Sequence, residues 1–139
     1  MVKPIEVYFY YMNDCGWCDK FKPTWEKMKN NNNITNIIAL KEKERSEMSN
    51  NDQMINGEQI DGYPTIKIVI NTSGTKKEYK YGTKSEDSEC KGDRSCDDIL
   101  LCIKEQLEEE LKNVKMREGK QKLRYASRLR KNELFISQI

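Results

Sequence analysis

The chain has 139 residues, 36% of them hydrophobic and 35% charged, with a formal net charge of +2. That length fits one domain with appendages, and so polar a chain can bury a modest core only because its apolar residues are clustered. It contains no His, which excludes Ser–His and Cys–His catalysis and every His-ligated metal site.

The first eleven residues carry a short apolar stretch without a small-residue cleavage site. They lead straight into a cysteine pair, so they read as a strand, over Ile5 to Tyr11, and not as a signal peptide. Asn13-Asp14 marks a turn. Phe21, Trp25 and Met28 recur at helical spacing and predict a helix from about Gly16 to Asn30, with Pro23 as a kink. Ile34 to Leu40 is a second strand candidate. Residues 41 to 56 are charged and polar, and fit either a short helix or an ordered loop. Asp61-Gly62-Tyr63-Pro64 signals a turn, Thr65 to Ile70 a strand, Asn71 to Thr75 a hairpin loop and Lys76 to Tyr81 its partner. Residues 82 to 95 read as a loop. A helix capped by Ser95 or Asp97 follows, with Ile99, Ile103, Leu107, Leu111 and Val114 as its apolar stripe. Strands alternating with helices predict a mixed α/β sheet.

Cys15-Gly16-Trp17-Cys18 is the centre of the chemistry. A cysteine at a helix start meets unsatisfied N–H groups and the positive end of the helix dipole, and both favour the nucleophilic thiolate. A second cysteine one turn on can resolve a mixed disulfide. A structural disulfide and half a zinc site are the alternatives. Zinc would need Cys90 and Cys96 at an unusual spacing, so no metal and no other cofactor is expected.

Three features together resemble the thioredoxin and protein disulfide isomerase superfamily: the Cys15–Cys18 motif after a strand, Pro23 five residues beyond Cys18, and Gly62-Tyr63-Pro64-Thr65. The resemblance covers roughly residues 4 to 118. It implies a thioredoxin-like fold with a central mixed sheet and flanking helices, over residues 1–118; by composition a basic C-terminal extension, 119–139, follows as a helix or amphipathic stretch. It implies that Cys15 and Cys18 are catalytic, that Pro64 is cis, and that Tyr63 and Pro64 hold a substrate backbone beside Cys15. Trp17 is expected to be exposed and to touch substrate. The missing leader and the Asn and Lys bias also resemble thioredoxin-like proteins of large DNA viruses, which points to the cytoplasm, of a host cell or otherwise, or to a virion.

The sequence departs from that pattern at two positions. Phe9 stands six residues before Cys15, where the family keeps a buried carboxylate that assists proton transfer. Asp14 replaces the usual Trp before Cys15, and a nearby carboxylate disfavours a thiolate. The expectation is a protein-disulfide oxidoreductase of reductase or isomerase type, not a strong oxidant, with disulfide-bearing proteins as substrates. The competing expectation is a redox-attenuated binding module.

Cys90 and Cys96 are candidates for a second disulfide, with two free thiols in a loop as the alternative. Cys102 reads as a small core residue. From Lys112 to Lys131 nine residues are Lys or Arg against one acid, Glu118. This segment reads as a solvated helix extension or, with Leu123, Leu129, Leu134, Phe135 and Ile136, as an amphipathic stretch that docks on its own domain or on a protein partner. Nucleic-acid binding through Arg124, Arg128, Arg130 and Lys131 is the weaker expectation, because charge alone is a weak signal. No apolar run approaches the roughly 20 residues of a membrane span, and the oligomeric state is not legible.

Overall fold

A computed structural model of the chain describes residues 3–72, 75–82 and 90–115. A five-stranded sheet runs in the order β2-β1-β5-β6-β7, built from β1 (Ile5–Tyr11), β2 (Ile38–Glu44), β5 (Thr65–Thr72), β6 (Thr75–Gly82) and β7 (Cys90–Lys91). β1 pairs parallel with β2 and antiparallel with β5, β5 pairs antiparallel with β6, and β6 parallel with β7. Helix α1 (Gly16–Lys29) and the short α2 (Asn32–Thr35) connect β1 to β2, and α3 (Cys96–Lys115) follows β7. A small hairpin, β3 (Met54–Ile55) and β4 (Glu58–Gln59), interrupts the segment before β5. No helix of the described residues is long and apolar enough to cross a membrane.

Strand alternation divides the sheet into two faces. Ile5, Val7 and Phe9 of β1 lie level with Ile70, Ile68 and Ile66 of β5, and all six are essentially inaccessible. Phe21, Trp25 and Met28 of α1 and Ile99, Ile103 and Leu107 of α3 close over them. α1 runs unbroken across Pro23. The expected strand over Ile34 to Leu40 is in part a helix. Asn31 accepts the Asn33 N–H (3.0 Å) and caps one turn, and the strand begins only at Ile38. It continues through the charged Lys41 to Glu44 because it lies at the sheet edge, where its side chains find Glu6, Lys29 and Asp52.

The opposite face is polar yet covered. Lys67 is 5% exposed. Its ammonium lies 4.6 Å and 5.4 Å from the ring centres of Tyr8 and Tyr10 and 3.6 Å from Glu78. Asp52, on the segment before β3, accepts from the Tyr10 hydroxyl (3.0 Å), from the Ser49 N–H (2.9 Å) and from Lys43 (2.7 Å). Burial opposes charge on Asp52. The Lys43, Ser49 and Tyr10 bonds more than offset it and hold the carboxyl well below the ordinary carboxylate range. Burial and then the Asp52 bond push the Tyr10 phenol upward.

The loop expected over 82 to 95 contains β7, and β7 corrects the cysteine assignment. Cys90 points into the core beside Tyr81 and is disulfide-bonded to Cys102, with Cα atoms 5.6 Å apart. Cys102 shares the inward face of α3 with Ile99 and Ile103. The expected Cys90–Cys96 pair does not form: Cys96 opens α3, half-buried, and is the free cysteine. The stripe positions Leu111 and Val114, and the whole of 119–139, lie outside the residues whose side chains are described.

Two outcomes follow. A depressed native pKa contributes stability above the unfolded carboxyl value and loses it as pH falls. Asp52→Asn should therefore lower stability by about 1–3 kcal/mol at neutral pH, and the gap should shrink below about pH 4. Urea unfolding at both pH values reads this, and a gap independent of pH would contradict it. Replacing Cys90 and Cys102 together by Ala should cost about 2–4 kcal/mol, read as a lower urea midpoint than that of the oxidised parent.

Candidate functional site

The site begins where β1 ends. Asp14 adopts φ 59°, a left-handed turn that Asp tolerates better than most residues. Cys15 then returns to an extended conformation as the N-cap of α1. Its Sγ accepts the Cys18 N–H at 3.2 Å, and its carbonyl accepts the Asp19 N–H at 3.0 Å. Cys15 is 6% exposed and Cys18 fully buried. The two are joined as a disulfide, with Cα atoms 5.2 Å apart. A negative charge on Cys15 Sγ would sit at the helix N-terminus, against a donor already aimed at it.

The loop before β5 forms the other wall. The Tyr63–Pro64 bond is cis, and Thr65 Oγ1 donates to the Gly62 carbonyl at 2.6 Å. The Tyr63 hydroxyl donates to Met48 Sδ at 3.6 Å. These contacts leave the Tyr63 carbonyl oxygen 3.8 Å from Cys15 Sγ. Sequence positions 48 residues apart are thus brought to one sulfur, and Pro64 lies buried behind them. Trp17 stands at the rim, 63% exposed.

The floor of the site is aromatic. Phe9 is inaccessible and packs against Phe21, Trp25 and Tyr11, with ring centres 5.0, 5.4 and 5.3 Å away. Glu6 faces the other side of the sheet, where it accepts from the Tyr8 hydroxyl (2.7 Å) and pairs with Lys41. β1 therefore turns no carboxylate toward the cysteines. Among the described residues no three side chains able to ligate a metal come together.

Cys15, Trp17, Cys18, Tyr63 and Pro64 lie together, whereas Cys96 opens α3 as a free thiol packed against the core. Burial and Asp97 push the Cys96 thiol up, with Lys27 opposing. Two neighbours of Trp17 escaped the sequence reading. The Arg94 guanidinium lies 6.0 Å from the Trp17 ring centre, and the Lys20 ammonium 4.5 Å from it. Lys20 is one turn along the same helix and was legible in principle. Arg94 arrives from a distant corner with no local signal.

The thioredoxin family model matches residues 2–91, well over half the chain, and the chain belongs to that family. Comparison with curated proteins finds no match. Family membership and a Cys15–Cys18 pair at disulfide distance together support a thiol–disulfide oxidoreductase.

The five cysteines should separate by accessibility. The native oxidised protein should show one titratable thiol, slow to alkylate and mapping to Cys96. Brief mild reduction should add Cys15 and Cys18 while Cys90–Cys102 persists, as peptide mapping would report. Early label on Cys90 or Cys102 would contradict the burial assigned to that pair.

Proposed function

We propose that this chain is a protein-disulfide oxidoreductase of reductase or isomerase type, with Cys15 as nucleophile and Cys18 as resolving thiol. The observation that carries the reading is Cys15 Sγ, held between the Cys18 N–H and the Tyr63 carbonyl at the start of a helix. In the reduced protein the Cys15 thiolate attacks one sulfur of a substrate disulfide. A Cys15–substrate bond forms, the substrate S–S bond breaks, and the departing thiolate takes a proton. Cys18 then loses its proton and attacks Cys15 Sγ, which releases the second substrate thiol and leaves the Cys15–Cys18 disulfide. Two electrons and two protons pass to the substrate. The backbone beside cis-Pro64 offers an extended substrate segment a place to pair, and proline's missing N–H leaves no donor there to compete for the sulfur.

Two features favour a reductase or isomerase over a strong oxidant. Asp14 adjoins Cys15 and disfavours its thiolate, and a strong oxidant depends on an unusually stabilised thiolate. Phe9 supplies no base for Cys18, so the resolving step relies on water. A slow second step gives the mixed disulfide a longer life, which suits an isomerase that must wait for substrate thiols to rearrange. The competing reading is a binding module that works through residues 119–139.

Cys15→Ser should lower insulin-disulfide reduction, coupled to dithiothreitol, by about 100-fold or more. Cys18→Ser should accumulate Cys15–substrate mixed disulfides, visible as mass shifts on non-reducing analysis. Full activity in Cys15→Ser would sink the proposal. Loss of trapping on deleting residues 119–139 would favour the binding module.

A further inference from the structure

The corner between β7 and α3 is built around several independent contacts. The Tyr81 hydroxyl donates to the Asp93 carbonyl at 2.6 Å. The Asp93 N–H donates to Asp98 Oδ2 at 2.7 Å, and the Asp98 N–H to Ser95 Oγ at 3.2 Å. Gly92 fits with no room to spare: a Cβ there would lie 2.7 Å from the Tyr81 hydroxyl and 3.0 Å from Asp98 Oδ2. The Cys90–Cys102 disulfide ties both ends of the corner together. Its product is the placement of Arg94 over the exposed Trp17, one residue from Cys18. The thioredoxin family match ends at residue 91, so Gly92 to Cys102 of this corner lies beyond the matched region.

We propose that Arg94, set beside Trp17 by the stapled 90–102 corner, makes the site selective for disulfides flanked by acidic residues. This rests on the oxidoreductase reading above and names its substrate class. Trp17 offers a rigid, exposed aromatic surface beside the reacting sulfurs, on which a substrate chain can lie. Arg94 and Lys20 both have cation–π contacts with that ring, and neither forms an ion pair among the described residues. Of the acids near in sequence, Asp19 is taken up by Lys22 and Asp98 by the Asp93 N–H, while Asp14 and Asp97 are exposed. A guanidinium presents a planar fork that accommodates a carboxylate in two parallel hydrogen bonds. An acidic side chain next to a substrate cysteine thus meets Arg94, and a basic one meets like charge.

The test uses the pre-reduced full-length protein in single-turnover reactions with three short disulfide peptides. They differ only in flanking residues, Glu, Gln or Lys. Each rate constant is divided by that peptide's rate with dithiothreitol, which removes intrinsic differences in disulfide reactivity. The Glu peptide should react about 2- to 5-fold faster than the Gln peptide and the Lys peptide slower, with the spread narrowing in about 0.5 M salt. Arg94→Glu should reverse the order and Arg94→Gln should narrow it. An order unchanged in Arg94→Glu would overturn the proposal, as would a wild-type protein that treats the three peptides alike. No reaction with the Gln peptide would instead sink the oxidoreductase reading, and the selectivity with it.

Discussion

The hydrogen bond from the Cys18 N–H to Cys15 Sγ is the contact on which the site depends. A helix start leaves backbone donors without partners, and a side chain usually satisfies one of them from the N-cap position. Here the side chain is a sulfur. The same contact that starts α1 therefore points a donor at the atom that would carry negative charge in the proposed exchange. Everything upstream serves that placement. β1 lies between β2 and β5 in the sheet, Asp14 turns the chain through a left-handed residue, and Cys15 enters the helix from an extended conformation. Downstream, Phe21, Trp25 and Met28 fix the helix on the sheet and bury Cys18 beneath it.

Much of this was legible in the sequence. The alternation in β1, the helical spacing of Phe21, Trp25 and Met28, and the hairpin of β5 and β6 depend on neighbours within a few residues, where periodicity carries the information. The charged half of β2 was not legible. Lys41 to Glu44 has the composition of a loop and becomes a strand only because β1 offers it a parallel partner at the edge. The Asn run hid a capped turn. The pairing of Cys90 with Cys102 depends on where a two-residue strand meets a helix face, and spacing along the chain does not encode that. The position of Arg94 beside Trp17 was hidden for the same reason.

The two disulfides have opposite settings. Cys15–Cys18 sits at a helix start under an exposed Trp, beside the loop of Tyr63 and Pro64. Cys90–Cys102 lies in the core, and fixes the corner that brings Arg94 to the site. One is placed to exchange and the other to hold shape. The aromatic floor at Phe9 adds a third element, because it gives the exchanging pair a dry, acid-free underside on the β1 side. The chain thus keeps the thioredoxin frame around its cysteines while altering the base below them and the charge beside them.

The central claim is that Cys15–Cys18 is a redox-active pair of moderate reducing poise. Its reduction potential, measured by equilibration with defined dithiothreitol buffers while Cys90–Cys102 stays intact, tests that claim most directly. The account predicts a value within about −180 to −270 mV, the span from protein disulfide isomerase to thioredoxin. A value near about −120 mV, that of a strong oxidant, would contradict it, as would a pair that fails to equilibrate with the buffer at all.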